Sequence, residues 1–453
     1  MGKQLNIRAE SALVIARTLS GEPFDGATLP ARLEDATARD IALYRELCFG
    51  TLREFIFLEA LFSGYLKKPI ANKEPKVKAL LAIGCYQLLY TRVPDHAAIS
   101  TTVDGCKRLG KDWARGLTNA VLRNVARDLA ATTSGEMLGE QSIKTLIQRK
   151  KLASEKASSL PAWLYHKLQQ SWPMELEQLI DHSRSAPVMA LRVAADEREN
   201  YLSELASTGL DATASRISDR AILLDRGVSV EKLPGFFAGE ASVQDAGAQL
   251  AAVLLETADG DRVLDACSAP GGKTLGILQR AKSSNKTIDM TALDVSAQRL
   301  TKVRENLERA DEHAKVIAAD ACDVAAWWDG VPFDKILIDA PCSGTGVMNR
   351  HPDIKLHRRQ GDITGFASQQ SSLLSKLWPC LAIGGELLYC TCSILPEENS
   401  AVVDYFLQKH ADAISIDIEA GWGRAVKFGR QLLPNKAEND GFFFAKIKKV
   451  TAA

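Results

Sequence analysis

The chain has 453 residues, too many for one ordinary hydrophobic core and suited to two to four domains. Its 56 basic residues balance 56 acidic ones, which argues against nonspecific coating of nucleic acid while leaving room for local basic patches. No apolar run approaches the ~20 residues of a membrane-spanning helix, and residues 1–10 carry no apolar stretch behind their charges. Neither a membrane anchor nor a secretory signal is expected, and the protein reads as cytoplasmic.

Residues 1–135 read as a helical bundle. The clearest stripe is Val77, Leu80, Leu81, Cys85, Leu88 and Leu89, which recur at i, i+3, i+4, i+7 behind Pro75 and ahead of Pro94. Two more helices are expected over 98–109 and 117–129, the second with Leu117, Ala120, Val121, Val125 and Leu129 inward. Residues 92–127 hold seven Lys/Arg (Arg92, Lys107, Arg108, Lys111, Arg115, Arg123, Arg127) against three Asp, and Arg149, Lys150 and Lys151 form a second basic cluster. Each cluster could be no more than a solvated helix face.

Breaker clusters at 131–135 and 157–161 bracket a linker, 136–160, with a short helix near 141–156. Residues 161–245 mix strand patterns (188–193 and 221–224) with a helix (198–207), as in a small α+β module. From 246 to 453 short apolar runs alternate with helical patterns. Strands are expected at 262–265, 290–294, 315–318, 335–339 and 385–390, in a doubly wound parallel sheet that binds ligands at the carboxyl ends of its strands.

Cys48, Cys85 and Cys106 lie in apolar helical contexts and read as buried small hydrophobes. The other cysteines fall in the second half. With no pair of C-x-x-C knuckles, and no histidine to complete a ligand set, no metal site is expected.

Four stretches carry chemistry. The first is Leu264-Asp-Ala-Cys-Ser-Ala-Pro-Gly-Gly-Lys-Thr274, a strand entering a Gly-rich turn and then a helix. Gly271 and Gly272 admit a close ligand, though a purely structural turn is an equal alternative. Next comes Asp294, at a strand end and placed to accept from ribose hydroxyls, followed by Asp320 after the next strand, placed for an adenine amino group. Either aspartate alone could be a helix cap; the ordered series is harder to explain that way. The third stretch, Ile338-Asp-Ala-Pro-Cys-Ser-Gly-Thr-Gly346, delivers Asp339 to the sheet edge and presents Cys342 in a polar loop. The fourth runs from Leu388 to Asn399 and brings a second strand to Cys392, with Cys390 two positions back.

On these motifs the C-terminal half, about 160 to 453, resembles the RsmB/Nop2/NSUN family of RNA cytosine-5 methyltransferases, through its Pro-Cys and Thr-Cys pair and its Asp-Ala-Cys-x-Ala-Pro-Gly-Gly-Lys-Thr turn. Residues 94–99 and 117–124 resemble NusB-like RNA-binding domains, a combination similar to bacterial small-subunit (16S) ribosomal RNA methyltransferases. The chain departs from the family at Ser268, where Ala is usual, at Cys390, and at Ala194, where Asn is frequent.

The resemblance implies an all-α NusB-like domain, a small α+β module and a Rossmann-like class I methyltransferase domain. It implies S-adenosylmethionine bound by Cys267, Ser268, Ala269, Pro270, Gly271, Gly272, Lys273, Asp294, Asp320 and Asp339. The catalytic set it implies is Cys392 as nucleophile on cytosine C6, Cys342 for the resolving step, Asp339 on the base edge, and Lys273 beside it. Small-subunit ribosomal RNA is the expected partner and a monomer the expected state. Other readings are a methyltransferase of transfer RNA, a DNA-type enzyme attacking through Cys342, and a non-enzymatic NusB-like assembly factor. The last explains only the first 130 or so residues.

Overall fold

The computed structural model describes residues 5–26, 28–132 and 140–451. They form two compact units. One is Met1–Ala186 with Met348–Arg358; the other is Pro187–Val347 with Arg359–Ala453. Among the described residues no helix is long and apolar enough to cross a membrane.

The first unit is helical: α1 (Ile7–Leu19), α2 (Ala38–Arg53), α3 (Phe55–Ser63), α4 (Pro75–Tyr90), α5 (Asp95–Arg108), α6 (Arg115–Ala130), α7 (Glu140–Arg149), α8 (Ser154–Ala157), α9 (Ala162–Ser171) and α10 (Leu176–Arg184). Helix α4 shows more than the expected stripe. Every residue from Ala79 to Leu89 is buried, and α4 packs against α1, α2, α3, α5 and α6. Small residues on its other faces allow this: a Cβ on Gly84 would lie 2.6 Å from Leu122 Cδ1. On α6, Val121, Val125 and Leu129 are buried as expected. Ala120, however, is exposed and Leu122 is buried instead, because Thr118, Val121, Leu122, Val125 and Leu129 follow the helical period and residue 120 falls off it.

The breaker cluster at 131–135 lies mostly outside the described residues. Beyond it, α7 buries Leu146 and packs Ile143 and Ile147 against the bundle core. Segment 348–358 also belongs to this unit. Arg53 Nε donates to the Asn349 carbonyl at 2.8 Å, and Lys355 Nζ donates to the Arg53 carbonyl at 2.9 Å. Burial pushes the Lys355 ammonium down to about 7, against the pull of Glu54.

The second unit opens with a small antiparallel sheet of β1 (Met189–Arg192), β2 (Ala212–Ala214), β3 (Ala221–Leu224) and β4 (Ser242–Val243), in the order β2-β3-β1-β4. The large sheet has β5 (Arg262–Ala266), β6 (Asp289–Asp294), β7 (Lys315–Ala318), β8 (Phe333–Asp339), β9 (Leu381–Thr391), β10 (Ala413–Ile416), β11 (Arg424–Ala425), β12 (Arg430–Leu432) and β13 (Phe442–Lys449). Its order is β11-β12-β13-β9-β8-β5-β6-β7, with β10 on β13.

Strands β9, β8, β5, β6 and β7 are parallel, as the alternating pattern predicts. Strand β13 runs antiparallel to β9, so the sheet is mixed rather than purely parallel. Strand β12 in turn runs antiparallel to β13, since the short loop between them cannot make the crossover that a parallel pair needs. Alternation along the central strands feeds two cores. Ile336 and Ile338 face helices Gln360–Leu377 and Ser400–Lys409, whereas Leu337 faces helices Ala246–Leu254 and Ala297–Arg309.

Candidate active site

The strand order lays the residues that follow each parallel strand in a row at one sheet edge: Cys392, then Asp339 and Cys342, then the Gly-rich turn, then Asp294, then Asp320. The sequence-predicted residues therefore come together, from four loops and two strand ends.

The Gly-rich turn joins β5 to helix Gly272–Ser283. Gly271 takes φ +96, and a Cβ there would sit 3.1 Å from Val303 Cα, which explains glycine at this position. Four contacts pin the turn. Ala269 N donates to Asp294 Oδ2 at 3.1 Å, Arg299 donates to Ala269 O at 2.6 Å, and Asn306 donates to Pro270 O at 3.0 Å. Arg192, from the small sheet, donates to Gly272 O at 2.6 Å and also bonds Gln244. Its guanidinium is pushed down to about 9 by burial and by Arg220 and Arg309.

Cys267 packs against the core, and burial, then the charges of Asp339, Asp265 and Asp294, raises its thiol. Asp294 is buried, and its two oxygens already accept from Ala269 N and Ser296 N, so it shapes the turn besides facing any ligand. Asp320 is exposed and accepts from Cys322 N at 2.9 Å.

Two buried polar atoms of this region have no hydrogen-bond partner among the described residues: Asp265 Oδ1 and Ser268 Oγ. The other Asp265 oxygen accepts from Thr274 at 2.6 Å. Burial lifts the Asp265 acid to about 7. Buried polar groups in native proteins are nearly always paired, so an orphan carboxylate oxygen and an orphan hydroxyl in a Gly-lined turn fit a ligand bearing an ammonium and further polar groups. Sequence motifs give Asp265 no role, and its one local signal is an acid inside an apolar strand.

At the next position along the edge, Lys273 Nζ lies 2.7 Å from Asp339 Oδ2 and 5.3 Å from the centre of the Phe442 ring. Burial lowers the Lys273 ammonium, but the Asp339 carboxylate more than offsets this and holds it above its ordinary value. The other Asp339 oxygen accepts from the Cys390 thiol at 3.4 Å. Cys390 thus backs Asp339, a contact that sequence spacing did not indicate.

Cys342 Sγ and Cys392 Sγ stand 3.3 Å apart. Their turns touch directly: Gly346 N donates to the Cys392 carbonyl at 2.9 Å, and a Cβ on Gly346 would run into the Gly441 and Cys392 carbonyls. The Cys342 thiol is raised well above its usual value by its hydrogen bond with Cys392, by burial, and by the charges of Cys392 and Glu398.

Comparison with known proteins decides the family. The family described as 16S rRNA methyltransferase RsmB/F matches residues 252–448, the NusB family matches 7–127, and an RsmF/B-like ferredoxin-like domain matches 160–231. The ribosomal RNA small subunit methyltransferase B of Pseudomonas putida is 43% identical over 451 residues, covering 99% of this chain and 100% of its own. The chain belongs to the RsmB/F family of ribosomal RNA methyltransferases.

The RsmB/F match covers β5 to β13 and so every residue of the edge described above. Among solved structures, a methyltransferase homolog protein from Pyrococcus horikoshii superposes with TM-score 0.55 at 26% identity, over 68% of this chain and 99% of its own. NSun6 from the same organism, crystallised with SFG, gives TM-score 0.58 at 22% identity, over 65% and 99%. That second likeness bears on fold alone.

Proposed function

We propose that this RsmB/F enzyme methylates C5 of a cytosine in small-subunit ribosomal RNA, through a covalent bond between Cys392 and C6. S-adenosylmethionine supplies the methyl group, as an electrophile on a positively charged sulfur. The turn from Cys267 to Lys273 would hold it, with Asp265 facing its ammonium, Asp294 its ribose and Asp320 its adenine.

C5 of cytosine is a poor nucleophile. Addition of the Cys392 thiolate to C6 moves an electron pair toward N3 and makes C5 enamine-like. Asp339, steadied by Lys273 and Cys390, would accept from the N4 amino group, and the Lys273 ammonium beside it would offset the negative charge that builds up at N3. Cys342 serves the resolving step: it gives its own proton to solvent and takes the proton from methylated C5, the C5–H electron pair re-forms the C5–C6 double bond, and Cys392 departs as a thiolate. The base must be unstacked to expose C6. The observation that carries the reading is the cysteine pair at 3.3 Å, beside the Lys273–Asp339 pair at 2.7 Å. The name of the Pseudomonas relative supports the small-subunit substrate.

Two variants test it on an unmodified small-subunit ribosomal RNA transcript. Cys392→Ala forms neither product nor covalent adduct. Cys342→Ala attacks, transfers and then stalls, leaving a protein–RNA adduct that survives a denaturing gel. Adducts in Cys392→Ala and none in Cys342→Ala would reverse the roles and overturn the proposal.

A further inference from the structure

Glu398 has no part in the chemistry above, yet it lies fully buried directly behind both cysteines. Its carboxylate takes four hydrogen bonds. Oε1 accepts from Ser343 N at 2.7 Å and from Gln370 Nε2 at 3.3 Å. Oε2 accepts from Ser343 Oγ at 2.5 Å and from Ser393 Oγ at 2.7 Å. Ser343 follows Cys342 in the chain and Ser393 follows Cys392. Both serines are fully buried, and Thr345 Oγ1 joins them at 3.3 and 3.2 Å. Gln370 also donates to the Pro341 carbonyl at 2.9 Å, so Cys342 is held from both sides. Tyr389 anchors the Glu398 backbone by donating to its carbonyl at 2.6 Å.

An ionised carboxylate is the one common side chain with two acceptor oxygens and no proton, which is what four converging donors require. Simple packing would be served at lower desolvation cost by an apolar side chain. We propose that Glu398 is the positioning residue of the cysteine pair. It binds the residue after Cys342 and the residue after Cys392 at once, and so fixes the spacing between the two thiols. The inference rests on the reading that Cys392 attacks and Cys342 resolves.

Glu398→Gln keeps the shape but turns one acceptor into a donor. The test compares wild type, Cys342→Ala, Glu398→Gln and the double variant on the unmodified small-subunit ribosomal RNA transcript, with calorimetric S-adenosylmethionine binding as the measure of folding. The expected result for Glu398→Gln is cofactor affinity within about twofold of wild type, kcat lower by roughly tenfold to a hundredfold, and KM for RNA little changed, as a misplaced reacting group gives. Adduct should accumulate as in Cys342→Ala, and the double variant should be no slower than Cys342→Ala alone. If Cys342→Ala itself gives no adduct, the cysteine reading fails. If Cys342→Ala gives adduct while Glu398→Gln turns over like wild type, or the two losses multiply in the double variant, the Glu398 inference fails. Should Glu398→Gln lose cofactor binding, Ser393→Ala removes one donor from the same carboxylate. A wild-type rate and no adduct in that variant overturn the inference; a smaller adduct band supports it.

Discussion

Replacing Asp265 by asparagine removes a fully buried carboxylate with one oxygen on Thr274 and the other unpartnered among the described residues. Burial lifts its acid from 3.8 to about 7, a rise worth ~4 kcal/mol against the charged form. Because the folded-state value is raised, the stabilisation from the protonated acid is full below pH 3.8 and is lost as pH rises through about 7. The ligand-free wild type should therefore lose up to ~4 kcal/mol relative to Asp265→Asn on going from pH 4 to above 7.

A bound ammonium would recover that cost. At pH 6 about a tenth of Asp265 is ionised, so S-adenosylmethionine should bind roughly tenfold more weakly than at pH 8, ~1.4 kcal/mol. Asp265→Asn should bind roughly tenfold or more weakly at pH 8, the scale of a charged hydrogen bond, with a flat profile, and should melt higher without ligand. Calorimetric titration between pH 5.5 and 8, with thermal unfolding of the ligand-free protein, reads both. A flat wild-type profile together with unchanged affinity in Asp265→Asn would refute the reasoning.

Lys355→Met tests the packing of segment 348–358. A lysine held at about 7 binds fewer protons folded than unfolded between pH 7 and 10.5, so wild-type stability rises with pH across that window. The variant should be more stable by up to ~4 kcal/mol near pH 6.5, with the gap closing toward pH 10; urea unfolding that shows no gap at low pH would count against it. A role for the basic residues of 92–127 in RNA binding is tested by Lys107→Glu with Arg108→Glu. Both residues are exposed, whereas Lys111 is tied to Glu74 and Lys150 to Asp128. The double variant should weaken binding to small-subunit ribosomal RNA and flatten the salt slope by about one per lost phosphate contact. An unchanged slope would remove this face from the RNA-binding surface.

Several elements were legible because short apolar runs and helical periodicity are local signals: 315–318 and 221–224 are strands with those bounds, and 198–207 is a helix with those bounds. The cysteine pair was legible because each thiol closes such a run. What stayed hidden depends on residues distant in sequence. Periodicity showed one face of α4; burial of the rest depends on Gly84 meeting Leu122. Segment 348–358 reads as a loop of the catalytic half, but its partners are Arg53 and Thr18 in the helical unit. Asp294 reads as a ribose ligand or a helix cap, and its bond to Ala269 across the sheet edge appears only once the strands pair. Glu398 follows a proline in a polar stretch, with no local mark of a buried group that joins two loops.

The most direct test is to map the covalent bond itself. Unmodified small-subunit ribosomal RNA is incubated with Cys342→Ala and S-adenosylmethionine, the adduct is digested with nuclease and protease, and the linked species is sequenced by mass spectrometry. The account predicts a peptide joined through Cys392 to a cytosine nucleotide that carries one added methyl group. A bond through any other residue, or a cytosine without the methyl, would contradict it.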